Sequence, residues 1–136
     1  MKAAFVTGFL VVSALFTAWT SWSSFVAPDH FAKPLGYLLA GVDGRNEIRA
    51  QYGGFFLAVT VASVLTLAGT IPRQAGLVVN AVLFGGLIAG RLISLTIDGG
   101  MHGYGPIIRA LFFIDSIGFI LSITAFSIDR LLAKPR

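Results

Sequence analysis

Four apolar runs, each near the roughly 20 residues that a helix needs to cross a bilayer, constrain this chain more than any other feature. They cover approximately residues 3–26, 50–71, 75–97 and 106–128. Because lipid offers no water to backbone amides and carbonyls, each run is predicted to be a transmembrane helix. The expected fold is all-α: a single transmembrane domain over residues 1–136, built as an integral membrane four-helix bundle with short loops and one longer outer loop at 27–45.

The composition supports a membrane protein and excludes other classes. Hydrophobic residues make up 56% of the chain, charged residues 12%, and the mean hydropathy is +0.85; a soluble domain carries about 25% charged residues. The net charge of +4 does not indicate nucleic acid, because the basic residues form no patch or aromatic-interleaved stripe. The absence of cysteine excludes disulfides, thiolate metal ligands and a cysteine nucleophile.

The first run follows a lone Lys2 and therefore resembles a signal peptide. It is longer than the usual apolar region of such peptides, and Trp19 and Trp22 interrupt its far end. A cleavage site ending at Ala27 would place Phe25 where a small residue is required. We therefore expect a retained transmembrane helix.

Two asymmetries predict the orientation of the bundle. With four spans, both termini and the 71–74 turn share one side, which holds the excess of basic residues: Lys2, Arg73, Arg130, Lys134 and Arg136. The other side holds every Trp and Tyr: Trp19, Trp22, Tyr37, Tyr52 and Tyr104. The positive-inside rule therefore places both termini in the cytoplasm, with an aromatic belt on the outer face.

The connection at 27–45 is rich in proline and glycine, which break regular structure. Asp43 and Gly44 are expected to form a turn, and Asn46 is the predicted N-cap of the second helix, with Glu47 in its first turn. In the third run, Gly86 and Gly90 form a small-xxx-small pattern that allows close approach of another helix.

Charged residues recur in or beside the apolar runs. Burying a charge there is costly, and such residues usually have a function. By topology they should gather in the outer half of the bundle with Tyr52, as a ligand-binding or buried charge cluster: Glu47, Arg49, Tyr52, Arg91, Asp98, Arg109 and Asp115. Asp115 lies too deep to stay ionised alone, and Arg91 is its expected partner by depth. The alternatives are a purely structural role, a ligand pocket, and proton or ion translocation.

Catalytic motifs give no positive signal, so no catalytic residue is assigned and an enzyme is not favoured. His102 with Asp98, Glu47 and Asp115 lacks metal-ligand spacing, and no metal site is predicted. A triad of Ser94, His102 and Asp98 lacks an accompanying nucleophile motif. Neither a P-loop nor a dinucleotide fingerprint is present.

Three elements together resemble a known bacterial family. The stretch 46–54, Asn-Glu-Ile-Arg-Ala-Gln-Tyr-Gly-Gly, opens the second span; Gly90-Arg91-Leu92-Ile93-Ser94 with Asp98-Gly99 closes the third; and an acid lies in the fourth. This pattern looks like domain of unknown function 4345, and its most specific part is Arg-Ala-x-Tyr-Gly-Gly. The resemblance implies a small, multi-pass, four-helix protein of the bacterial inner (plasma) membrane, and it supplies no catalytic residue.

These observations favour a structural or ligand-binding protein whose charge cluster faces a lipid, quinone or similar amphiphile. No cofactor is predicted, although a bound lipid or quinone is compatible with the pattern. The glycines at 53, 54, 86 and 90 are assigned to helix packing. Membrane lipids are the expected partners, with other membrane subunits or a homo-oligomer as the alternative. An accessory subunit of a larger complex is the first rival function, and a proton-coupled transporter the second.

Overall fold

The computed structural model describes residues 1–133. Its elements are α1 (Lys2–Val26), α2 (Pro28–Ala32), a 3₁₀ turn (Lys33–Leu35), α3 (Gly41–Ile48), a π-helical segment (Arg49–Gly54), α4 (Phe55–Leu67), α5 (Arg73–Ile97) and α6 (Pro106–Leu132). Lys134 and Arg136, which were counted among the basic residues of one side, lie outside the described residues.

The described part of the chain contains four helices that are long and apolar enough to cross a membrane, and it contains no strand. The first span is α1, the third is α5 and the fourth is α6. The second span, Gly41–Leu67, is one continuous helix made of α3, the π-helical segment and α4. The all-α, four-helix prediction is confirmed.

The four spans pack as a ring. The second span and α6 both contact α1, and both also contact α5. Consecutive spans are therefore antiparallel neighbours. One end of the bundle, called here the loop end, carries the connections 27–40 and 98–105; the termini end carries Met1 and the 68–72 turn.

The segment 27–45 differs from the predicted loop because much of it is helical. Pro28 begins α2, where its fixed φ and missing N–H suit a first helical turn. The second span begins at Gly41, after Ala40 in an extended conformation. Asn46 therefore lies inside α3, and its prediction as the N-cap was wrong. Helix formation satisfies the backbone groups of this segment within the chain itself.

The interior of the bundle contains both apolar and polar side chains, and its exterior is apolar. Ser13 donates a hydrogen bond to the amide oxygen of Asn80, and the Asn80 amide nitrogen donates to Ser63 Oγ at 3.0 Å. Thr17 and Thr60 share a hydrogen bond of 2.8 Å. These bonds join α1, α4 and α5. Since lipid is as apolar as leucine, such interhelical hydrogen bonds and close packing hold membrane helices together.

Large apolar side chains cover the outside of the helices, including Val12, Leu15, Val82 and Ile120, all more than 60% exposed. A water-soluble protein rarely exposes continuous apolar surface of this kind. The exterior therefore suits contact with lipid chains.

Glycines mediate close helix approach, but not at most of the predicted positions. A Cβ at Gly53 would collide with the Phe25 ring, so that glycine does bring the second span against α1. Gly54 is exposed, and no described atom lies within 4 Å of the Cβ position of Gly86 or Gly90. Among the described residues these three glycines therefore bring no other helix into close contact, because they face outward.

Two glycines that the sequence did not single out make close contacts instead. A Cβ at Gly76 would collide with Thr66, and one at Gly118 would collide with the Phe84 ring. Gly76 thus lets α5 approach α4, and Gly118 lets α6 approach α5.

Candidate functional site

An ion pair joins the third and fourth spans. Arg91 Nε in α5 donates to Asp115 Oδ2 in α6 over 2.5 Å. The Asp115 side chain is 3% exposed and that of Arg91 19%. The Arg91 guanidinium also lies over the Phe112 ring, 5.7 Å from its centroid. The pair satisfies a carboxylate that would otherwise be strongly penalised at this depth.

The π-helical segment coincides with the sequence Arg-Ala-Gln-Tyr-Gly-Gly at 49–54. Such segments are rare and are found frequently at functional sites. Here the Gly53 carbonyl accepts a hydrogen bond from Ser21 Oγ in α1 at 2.9 Å. Gly53 also makes room for the Phe25 ring. The local helix geometry is therefore fixed against the first span.

The π-helical segment places Tyr52 in a half-buried position near the ion pair. Its ring lies 5.1 Å from that of Phe31 and 6.3 Å from that of Phe56, centroid to centroid. Tyr52 is close enough to Arg91 and Asp115 to interact with both electrostatically. Three spans thus contribute side chains to this region, with a phenol rather than a second arginine coming from the second span.

Arg49 and Glu47 are directed away from the ion pair. Arg49 Nε donates to the backbone carbonyl of Phe25 over 3.1 Å, in the last turn of α1. A cation there interacts favourably with the C-terminal end of the helix dipole. Glu47 accepts a hydrogen bond from Gln51 Nε2 at 2.9 Å, one helical turn along the same span.

Asp98 and Arg109 also form local contacts at the loop end. Asp98 Oδ2 accepts hydrogen bonds from Tyr104 at 2.5 Å and Ser94 at 3.0 Å, and these hold its pKa below the usual range. The bond to Asp98 raises the pKa of Tyr104. Arg109 Nη2 lies 3.4 Å from the Met101 carbonyl oxygen. These contacts order the loop between α5 and α6.

The predicted charge cluster is therefore corrected to one buried pair. Asp115 and Arg91 meet, and Tyr52 is close enough to interact with both electrostatically. The other four charged residues assigned to the cluster lie apart from it: Glu47, Arg49, Asp98 and Arg109. The physical reason is that each of them lies nearer the loop end of the bundle, where a backbone carbonyl or a polar side chain of its own is within reach.

An open groove of about 500 Å³ lies beside Tyr52, between the second span and α5. Its polar side chains come from the loop-end half of the second span and the preceding loop: Tyr37, Glu47, Gln51 and Tyr52. Its apolar lining continues deeper into the bundle: Ile48, Phe55, Phe56, Leu83 and Leu87. We call this the first groove. It offers hydroxyl, amide and carboxylate groups at one end and hydrocarbon along the rest.

The sequence reasoning missed the first groove and the interior polar network. The network has a sequence signal, since Ser13, Thr17, Ser21 and Ser24 recur every three or four residues and all are buried. The groove has none of comparable strength, because its shape depends on where α3 begins and on the π-helical segment.

Comparison with known proteins identifies a family without assigning an activity. A search of curated proteins finds no match to the chain, and a search of solved structures finds none either. A family model described as a domain of unknown function (DUF4345) matches residues 5–126. That match includes the π-helical segment, the ion pair and every residue that lines the first groove. The chain therefore belongs to the DUF4345 family.

Proposed function

We propose that this membrane protein binds an amphiphile, such as a neutral lipid or a quinone, in the first groove. The observation that carries the proposal is the distribution of polarity along that groove. Tyr37, Glu47, Gln51 and Tyr52 surround its loop end, whereas Leu83 and Leu87 line the part that runs toward the middle of α5. Ligand sites are typically apolar cavities with a few well-placed polar groups.

The head group is expected to carry carbonyl or hydroxyl oxygen rather than a net negative charge. Arg91 is paired with Asp115, and Arg49 donates to the Phe25 carbonyl, so both arginines already have acceptors. The phenols of Tyr37 and Tyr52 and the Gln51 amide are neutral donors. Glu47 at the same end of the groove would repel an anion.

The Arg91–Asp115 pair is proposed to support the groove rather than to contact the ligand. It fixes α5 against α6. Its charges act electrostatically on the Tyr52 phenol of the second span. Residues that hold a binding side chain in place often matter as much as the side chain itself.

Native mass spectrometry of protein extracted in mild detergent tests the proposal. Leu87→Trp fills the first groove, whereas Leu92→Trp places the same side chain on the exposed surface of the same helix. We expect the wild type and Leu92→Trp to carry an amphiphile of defined mass, and Leu87→Trp to lose it. Equal adducts on all three proteins, or none on any, would contradict the proposal.

The mass of the released ligand distinguishes its source. A glycerolipid and a quinone share the oxygen-bearing head and long chain that the groove suits, but they differ in mass and in ultraviolet absorption. Either identity supports the proposal. A purely anionic phospholipid would contradict the neutral head group.

The location proposed for the protein is the bacterial inner membrane, with both termini in the cytoplasm. Lys2, Arg73 and Arg130 lie at the termini end, and Trp22, Tyr37 and Tyr104 lie at the loop end. Reporter fusions test the orientation. A fluorescent protein at the C-terminus should be active, while a phosphatase that requires the periplasm should be active only when inserted after Gly99.

Assembly with another membrane helix is the second candidate function, as an accessory subunit or a homo-oligomer. The observation that favours it is the open space beside Gly86 and Gly90, one turn apart on α5. Small residues of this kind permit close helix contact. Cross-linking in native membranes tests it, with Gly90→Leu expected to remove any product that depends on this face.

A further inference from the structure

A second groove adjoins the first along the same pair of helices. It has a volume of about 480 Å³ and lies between α4 and α5. Phe55, Leu83 and Leu87 line both grooves. The rest of its lining is apolar and nearer the termini end: Ala58, Val59, Val78, Val79, Val82 and Gly86.

We infer that the two grooves form one continuous site for a single long hydrocarbon chain, with its head at the loop end beside Tyr37 and Glu47 and its tail beside Val78. The inference deepens the proposed function and rests on it, because it names the ligand class as a long, single-tailed amphiphile. The shared residues make the surfaces contiguous, and polar groups occur at one end only. A ligand with this polarity must lie parallel to the helices.

The length of the combined site supports a long tail. Along the second span the lining extends from Gly44 to Val59, which corresponds to roughly 22 Å at about 1.5 Å per residue. That is most of the roughly 30 Å hydrocarbon thickness of a bilayer. A short-chain ligand would leave the part near Val78 unfilled.

Val78 marks the far end of the second groove. It lines that groove, is 45% exposed, and lies nine residues nearer the termini end of α5 than Leu87, which corresponds to roughly 13 Å. A larger side chain at Val78 would therefore obstruct only the distal part of a long tail. Ile93 is also exposed on α5 but lines neither groove. The two positions provide a matched pair for a test.

A hydrocarbon chain fits the combined site better than a helix from another protein. Tyr37 and Leu39 line the first groove from the loop that precedes α3, and Leu39 packs against Gly44. These side chains limit the groove at the loop end. A transmembrane helix, about 10 Å wide, would have to displace them to lie along the full length, whereas a single chain would not.

The test compares binding of monooctanoylglycerol and monopalmitoylglycerol to the wild type, Val78→Trp and Ile93→Trp in one detergent. We expect Val78→Trp to weaken binding of the palmitoyl compound about tenfold or more, because several methylene groups lose their burial. It should leave the octanoyl compound within about twofold. Ile93→Trp should change neither. Affinities are compared between proteins for the same compound, so the partition of that compound into detergent micelles cancels from the ratio.

The remaining outcomes are equally decisive. If Val78→Trp weakens both compounds equally, or neither, the continuous site is wrong, while loss of the octanoyl compound in Leu87→Trp would still support the proposed function. If the wild type binds neither compound, the single-tailed amphiphile site is wrong, whereas the adducts seen by native mass spectrometry test the proposed function separately. A changed oligomeric state in Val78→Trp would assign this face to helix contact and overturn the inference. Val79→Trp, also in the second groove, replaces Val78→Trp if that variant does not fold.

Discussion

Asp115 in α6 accepts a hydrogen bond from Arg91 Nε in α5 at 2.5 Å, and its carboxylate is almost fully enclosed. This contact joins two neighbouring helices at a depth where an isolated carboxylate would not remain charged. Arg91 also packs over Phe112, which stacks on Tyr104 with a centroid distance of 6.1 Å. The ion pair thus connects the bundle interior to the loop between α5 and α6.

Removing one member of this pair should destabilise the protein strongly. We expect Arg91→Leu to lower the free energy of unfolding by about 3 kcal/mol, because Asp115 is left buried without its partner. Adding Asp115→Leu should recover more than half of that loss. Thermal unfolding in detergent, monitored by circular dichroism, measures both. Strict additivity of the two single changes would show that the residues are not energetically coupled.

Gly53 and Gly54 should respond differently to the same substitution. Gly53→Ala places a Cβ inside the volume of the Phe25 ring, so we expect a loss of about 2 kcal/mol from overpacking. The Cβ position at Gly54 meets only the Arg49 carbonyl oxygen, at 4.0 Å, so Gly54→Ala should change stability by less than about 0.5 kcal/mol. The same unfolding assay applies; equal effects would contradict the close approach at Gly53.

The interior hydrogen bonds should make a small but measurable contribution to the stability of the bundle. Ser63→Ala removes the acceptor of the Asn80 amide and should cost about 1 kcal/mol. Ser127 is exposed, and its hydroxyl donates to the Ile123 carbonyl oxygen within α6, so Ser127→Ala serves as the control with an effect near zero. A Ser63→Ala variant as stable as the control would mean that this bond contributes nothing to helix association.

The Asp98–Tyr104 bond should depend on pH at both ends of the range. The pKa of Asp98 is lowered by hydrogen bonds from Tyr104 and Ser94, so the stabilisation is present above the usual carboxyl pKa and is lost as pH falls through the lowered value. The pKa of Tyr104 is raised by Asp98, so on the alkaline side the stabilisation is lost as pH rises through the raised value. The bond should therefore persist at least across the interval between the usual carboxyl and phenol pKa values, roughly pH 4 to pH 10.

NMR titration of the Asp98 carboxyl carbon measures this directly. Tyr104→Phe should return the Asp98 pKa toward its usual range, because the stronger of the two hydrogen bonds is lost. Tyr37→Phe, in a different loop, should leave it unchanged. An Asp98 pKa that is the same in the wild type and Tyr104→Phe would exclude the bond in solution.

The sequence was sufficient for the architecture because the requirement for helices in lipid is strong. The length of each apolar run alone indicates where the chain crosses the bilayer. The start of the second span was harder to predict from the sequence, because Gly41 and Gly44 suggest turns although both lie in α3. The local propensity of these glycines predicted a break in the helix. The helical backbone hydrogen bonds continue through them instead.

The candidate site was predictable only in part, because the sequence indicates how deep in the membrane a residue lies but not where its side chain points. The similar depth of Arg91 and Asp115 was enough to predict that they pair. Arg49 has a suitable depth for the same cluster, yet its side chain turns to the Phe25 carbonyl at the end of α1. The π-helical segment changes the direction of every side chain that follows it, and no periodicity argument based on a regular helix accounts for that.

The most direct test of an amphiphile site between the second and third spans is NMR in lipid nanodiscs with methyl-labelled leucine. The spectra should show nuclear Overhauser contacts from the chain of added monopalmitoylglycerol to the methyl groups of Leu83 and Leu87. Leu92, which is 51% exposed on the same helix and lines neither groove, should show none above the lipid background. Equal contacts at all three leucines would indicate ordinary surrounding lipid and contradict a specific site.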